Sequence, residues 1–140
     1  MQFFDSITNK KTGISKVIVK YKGILYSGFA TCHPDDEFSE FTGCRYAEMR
    51  AEIKALKAEH KQKKHDCEEC RKFVKAVSQY AQFDPESPSA RAMFRQLNRR
   101  IKEVNKLAEE IGKKEFNLQL AIRQQRKFNA IIQSKMDNKS

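Results

Sequence analysis

Glycine and proline are scarce, at five and three of 140 residues, which excludes a Gly/Pro-rich linker protein and a dense loop scaffold. No run of about 18 apolar residues occurs, so no membrane-spanning helix is expected. The opening Met1-Gln2-Phe3-Phe4-Asp5 lacks the basic and then apolar regions of a signal peptide. The expected location is the cytoplasm in which the chain is made. Catalytic templates are missing as well. There is no Gly-rich phosphate loop, no Gly-x-Ser-x-Gly elbow and no convincing Cys–His nucleophile pair, so no enzyme is expected.

What the chain has is positive charge. Lys and Arg number 28 against 18 Asp and Glu, a net charge of +10. The excess grows along the chain, from +1 over residues 1–38 to +3 over 39–80 and +6 over 81–140. Such a surface attracts nucleic acid, acidic protein patches or anionic membrane, and it rules out mimicry of DNA. A hydrophobic fraction of 39% supports one modest core. Four cysteines in a reducing compartment are free thiols or metal ligands rather than disulfides.

The patterning predicts an α+β chain. Residues 14–32 read as a β-hairpin: Val17-Ile18-Val19-Lys20-Tyr21 is β-branched and aromatic, Lys22-Gly23 is a turn, and Ile24–Thr31 resumes the strand pattern. Gln2–Ile7, followed by the Asn9–Gly13 turn cluster, offers a third antiparallel strand. Two strands alone are marginal in water, so the sheet must lean on a helix. The division expected is a β-hairpin module over 1–38 and a helical region over 39–140, together one compact domain. Pro34-Asp35-Asp36 closes the sheet region, and Ser39 suits a helix N-cap.

From there the period lengthens. Met49, Ile53, Leu56, His60, Lys63, Cys67, Cys70, Val74 and Val77 fall on one helical stripe, polar in its middle. Phe83–Pro88 breaks the pattern, with Ser87 as N-cap and Pro88 in the first helical position. Phe94, Leu97, Ile101, Val104, Ala108 and Ile111 form the next stripe, and Gly112 reads as its C-terminal cap. Phe116, Leu120, Phe128, Ile131 and Ile132 form the apolar face of a last helix. The expectation is therefore a small sheet, a long helix and two further helices.

His60, His65, Cys67 and Cys70 are the densest group of nitrogen and sulfur donors, and such a set suits tetrahedral zinc. Asp66 and Glu69 form a capping-box pair that would start a new helix and place both thiols in its first turn. In a straight helix His60 and Cys67 stand roughly 10 Å apart along the axis. A four-ligand structural zinc therefore requires a bend near residue 65. The competing reading is a continuous helix with both cysteines as small core residues. Cys32, His33 and Cys44 form a second donor group, read as a buried cysteine and a turn histidine.

His33-Pro34-Asp35-Asp36-Glu37 resembles the metal motif of zinc N-acetylglucosaminyl deacetylases. That family has a large α/β sheet and a distal histidine ligand, and nothing after His65 supplies one here. An Asp/Pro turn is the preferred reading.

Arg91, Arg95, Arg99 and Arg100, then Arg123 and Arg126, line the C-terminal helices among interspersed glutamates. They are the candidate partner-binding residues. No helix-turn-helix, RNA-recognition or finger signature accompanies them, so nucleic acid is the less favoured partner. The helices leave a homodimer open.

Gly28-Phe29-Ala30-Thr31-Cys32-His33-Pro34-Asp35-Asp36-x-Phe38, continuing through Gly43-x-x-Tyr46-Ala47-x-x-Arg50-Ala51, resembles a hairpin-plus-helix module common in small phage proteins. With the His/Cys cluster and its size, the chain resembles the zinc-containing phage anti-CRISPR proteins that inhibit type II effector nucleases. That resemblance implies a non-enzymatic inhibitor in the host cytoplasm that binds the RNA-guided endonuclease and blocks loading of target DNA. Its basic charge directs it to an acidic patch, expected on the recognition lobe, because the nuclease's DNA channel is itself positive. The alternative is a phage sponge for a cyclic nucleotide signal, with Arg99 and Arg100 beside Phe94, or Arg123 and Arg126 beside Phe128, clamping phosphates and stacking a base. A plain nucleic-acid-binding accessory protein is the third reading.

Overall fold

The computed structural model describes residues 1–32 and 39–138. His33 and the Pro34–Glu37 turn lie outside the described residues. Three strands, β1 (Gln2–Asn9), β2 (Ile14–Tyr21) and β3 (Ile24–Thr31), precede two helices, α1 (Glu40–Ser78) and α2 (Pro88–Asn138). The fold is α+β, with an antiparallel sheet in the order β1-β2-β3.

Local chemistry accounts for the connections. The β2–β3 loop is the two-residue Lys22-Gly23, both at positive φ (51° and 81°), the backbone of a primed hairpin turn. Before β2, Asn9 Oδ1 accepts from the Lys11 and Thr12 amides at 3.0 and 3.3 Å, an Asx turn. Ser39 Oγ accepts from the Thr42 amide at 3.3 Å and Ser87 Oγ from the Ala90 amide at 3.2 Å. Both expected N-caps are therefore in place, the second with Pro88 in the first turn.

The chain divides into two compact units, Met1–Ala55 with Gly112–Ser140, and Leu56–Ile111. In the first, β2 alternates strictly: Ser15, Val17 and Val19 are buried, and Ile14, Lys16, Ile18 and Lys20 are not. The buried face joins Ala30 of β3 and Ala47 and Ala51 of α1 in one cluster, against which Tyr26, Cys44 and Tyr46 pack. Val17 and Val19 are the largest side chains wholly enclosed, each contributing about 1.5–3 kcal/mol relative to exposure.

These are small residues because the helix lies very close to the sheet. Gly43, Ala47, Ala51 and Ala55 recur every four residues on one helical face. A Cβ built at Gly28 would run into the Ala47 carbonyl oxygen and the Ala51 amide nitrogen. One at Gly43 would meet Ser15 Oγ, and Ser15 is wholly buried. Arg50 then donates to the Phe29 carbonyl at 2.8 Å, tying the helix to the strand at the sheet edge.

Further along, the first unit brings the start of α1 beside the C-terminal half of α2. Tyr46 Oη donates to the Ala121 carbonyl at 3.3 Å, and Lys114 Nζ stands 3.5 Å from Glu52 Oε2. Residue number rises in α1 as it falls in α2, so the two segments run antiparallel.

The second unit is a helical hairpin. Leu56, Cys67 and Val74 are buried on one stripe of its first helix, and Ala90, Leu107 and Ile111 on one stripe of its second. His60, Lys63, Cys70 and Val77 are half-buried on the same stripe, as the periodicity predicts. Phe83, in the connection, meets Phe94 edge-on with ring centroids 6.2 Å apart.

Two expectations about helix ends are corrected. First, α1 is uninterrupted through residue 65, because no Gly or Pro occurs between Gly43 and Pro85 and the segment is rich in Lys, Glu and Ala. Asp66 does not cap a new helix; its Oδ1 accepts from Gln62 Nε2 at 3.1 Å on the turn before. Second, one helix replaces the two expected after Pro88. α2 passes through Gly112, a lone glycine that costs only about 1 kcal/mol against Ala and is flanked by buried Ile111 and Leu118.

The apolar face expected for the last helix is also displaced. Phe116, Leu120, Phe128, Ile131 and Ile132 are all exposed, and Leu118 is the buried residue. Likewise Leu107, not Ala108, faces inward. The uninterrupted helix carries the heptad phase of Leu97, Val104 and Ile111 straight on to Leu118, leaving Phe116 and Leu120 on the outer side.

Gly112 supplies a test of helix continuity. A Cβ there meets nothing within 4 Å. Gly112→Ala should therefore raise stability by about 0.5–1 kcal/mol, measured by urea denaturation. A C-terminal cap in the left-handed region would instead be destabilised by the same change.

Candidate functional site

The four expected zinc ligands do not converge. All lie on the continuous α1, where His60, Cys67 and Cys70 share the packed stripe while His65 is exposed on another face. His60 and Cys67 are separated by roughly 10 Å of helix rise. Among the described residues, no group of three or more His, Cys, Asp and Glu side chains is placed to hold a metal ion. The residues do not fit a tetrahedral zinc in this conformation, and zinc has no part in the function proposed below. Cys67 is instead a buried core thiol at 5% exposure. A structural zinc would add several kcal/mol, and each kcal/mol moves Tm by roughly 3–5 °C in a chain of this size. Chelator treatment is expected to leave Tm unchanged; a drop of ten degrees or so would establish a metal-pinned bend. In the second donor group, Cys44 packs at the sheet–helix core and Cys32 is half-buried.

The six candidate arginines have different environments. Arg91 is held by Glu86, with Nη2 2.7 Å from Oε2. Arg100 turns toward the hairpin stripe, where its Nε is buried with no hydrogen-bond partner among the described residues. Arg95 and Arg99 are exposed, and so are Arg123 and Arg126 in the first unit.

Helix periodicity groups Arg95 and Arg99 with two lysines farther along α2. Arg95, Arg99, Lys102 and Lys106 follow one another at spacings of four, three and four, all exposed on the outer face of α2. They span roughly 16 Å of helix. None of the four makes an ion pair or hydrogen bond among the described residues. The stripe lies wholly within the second unit, so one helix face presents it. Like charges at these spacings repel by about 0.2–0.5 kcal/mol per pair, an effect that Glu103 and Glu110 on the adjoining helix flanks offset only in part. An anionic partner would relieve that repulsion.

No family model, curated protein or solved structure matches the chain. Among the described residues, no helix is long and apolar enough to cross a membrane.

The first unit contains a concavity of about 240 Å³ lined by Phe41, Thr42, Arg45, Tyr46, Ala121, Gln124 and Gln125. Burial pushes the Tyr46 phenol above its ordinary pKa, and the nearby positive charges of Arg45 and Arg126 pull it down less strongly. Tyr46 is thus a neutral hydroxyl at physiological pH, spent on the Ala121 carbonyl. Sequence reasoning missed this site because its two halves stand some 75 residues apart in the chain. No local motif signals it.

Proposed function

We propose that the chain is a non-enzymatic inhibitor that works by docking, and that its target is a type II RNA-guided DNA endonuclease of a bacterial host. The observation that carries the docking is the Arg95–Arg99–Lys102–Lys106 stripe, four exposed cations on one face of a packed helical hairpin, none of them in an ion pair among the described residues. The choice of nuclease rests on the resemblance of the chain to phage anti-CRISPR proteins.

A rigid basic stripe matches an acidic protein surface. It does not match the nuclease's DNA channel, which is itself positive, so the recognition lobe is the proposed contact. Docked there, the chain would block target DNA by occupying its path or by holding the lobe in one conformation.

A protein partner suits the stripe better than single-stranded nucleic acid. No aromatic residue lies between position 95 and position 106, so the stripe has no platform on which bases could stack. Phe94, the nearest ring, is engaged by Phe83. With Arg100 turned inward, the first of the two phosphate-clamp arrangements for a cyclic nucleotide sponge loses two of its three members.

Size-exclusion chromatography tests the reading. At micromolar concentrations the chain should co-elute with a guide-loaded type II effector nuclease. Separate elution from effectors of the host range would refute it. Binding to DNA with a steep salt dependence, in place of the nuclease, would favour the nucleic-acid reading.

A further inference from the structure

We propose that the concavity between the first turns of α1 and the C-terminal half of α2 is a binding site for a nucleotide phosphate, with Arg45 taking the phosphate and Phe41 stacking on the base. This site is separate from the basic stripe and goes beyond the docking function.

The lining has the composition of a ligand site rather than of a packing gap. Phe41 lines the mouth and is 79% exposed. Arg45 lines the wall, and Arg126 is near enough to act on the same Tyr46 hydroxyl. Neither guanidinium has a carboxylate partner among the described residues. The remaining polar groups, Thr42, Gln124 and Gln125, are neutral donors and acceptors, and Gln125 is oriented by a 3.0 Å hydrogen bond to Asn129.

Chemistry selects the ligand class. The unpaired Arg45 guanidinium on the wall calls for an anion with several acceptor oxygens, and phosphate takes arginine's planar fork in bidentate fashion. An exposed aromatic ring offers a flat apolar face, which a bare phosphate would leave unused. The side-chain amides of Gln124 and Gln125 each present a donor and an acceptor, the pairing that base edges use. A volume of about 240 Å³ lies just below the roughly 300–1,000 Å³ of sites that enclose drug-sized molecules, so one nucleotide would be held with part of it in solvent. Tyr46 does not compete for the ligand, because its hydroxyl already donates to Ala121.

The same chemistry is presented by a free nucleotide and by one residue of a single strand. Calorimetric titration of the full chain with the four nucleoside monophosphates, a short single-stranded oligonucleotide and inorganic phosphate separates them. The expected result is saturable one-to-one binding of at least one monophosphate. Arg45→Gln and Phe41→Ala should each weaken it by about tenfold or more, and the exposed Lys64→Gln should leave it unchanged. Binding of the oligonucleotide alone, with the same dependence on Arg45 and Phe41, supports the site and assigns it to a strand. Equal binding of inorganic phosphate removes the role of the base and overturns the proposal. So does the absence of binding at millimolar ligand, or binding that survives both substitutions. All variants are at exposed positions, and an unchanged Tm confirms that each is folded. Failure of nuclease docking would not touch this result, because the stripe and the concavity share no residue.

Discussion

Gly28→Ala should lower folding stability by about 3 kcal/mol or more, at or beyond the upper end of ordinary overpacking. Overpacked side chains usually escape by changing rotamer. Here the added methyl group meets the Ala47 carbonyl oxygen and the Ala51 amide nitrogen, with the Ala51 Cα a further 3.1 Å contact, all of them backbone. The helix must lift from the sheet, and the cluster of Val17, Val19, Ala30, Ala47 and Ala51 loosens with it. Against a total of roughly 5–15 kcal/mol for a domain, such a loss leaves a large unfolded fraction at 37 °C. Urea denaturation measures it, and a loss below about 1 kcal/mol would show that the helix does not sit on Gly28. The same chemical change at Gly112 should act in the opposite direction, which separates helix propensity from close approach.

The second large effect falls on binding alone. Replacing Arg95, Arg99, Lys102 and Lys106 together by glutamine should weaken association with the nuclease by about a hundredfold or more, since close charge pairs at interfaces couple by about 1.5 kcal/mol or more each. Thermal stability should change little, because the repulsion removed within the stripe is offset by the lost attraction to Glu103 and Glu110 and glutamine is a comparable helix former. A loss of binding without a loss of stability is diagnostic. A loss of binding that comes with a fall in Tm would mean damage to the hairpin, whereas tight binding by the quadruple variant would locate the interface elsewhere. Weakening should be greatest at low salt, as expected of exposed charges.

The parts of the fold that were legible in the sequence are those governed by local chemistry. Lys22-Gly23 is readable as a turn because few residue pairs accept positive φ twice, and Ser39 and Ser87-Pro88 are readable because orphan amides need acceptors. The stripe from Leu56 to Val77 was visible in spite of His60 and Lys63, whose stems can lie along a seam while their polar ends reach water. What misled was local evidence overruled by context. Asp66 and Glu69 have the spacing of a capping box and Gly112 the identity of a cap, yet neither ends a helix whose neighbouring turns are packed. The zinc expectation depended on the first of those ends.

The candidate sites divide in the same way. Arg95 and Arg99 could be singled out by residue type, but their separation from Arg91 and Arg100 depends on an ion pair to Glu86 and on which side of the helix is packed. The Gly43-Ala47-Ala51-Ala55 spacing was there to be read as a close-approach face, although its partner Gly28 becomes evident only when sheet and helix are together. The Phe41–Arg45 concavity depends on α2 returning to the start of α1, which no short pattern encodes.

Loading of target DNA onto a guide-loaded type II effector, followed by fluorescence anisotropy with and without saturating chain, bears most directly on the proposed function. The wild-type chain should prevent the rise in anisotropy, and the quadruple glutamine variant should restore it. Undiminished DNA loading in the presence of saturating wild-type chain would contradict the proposed function.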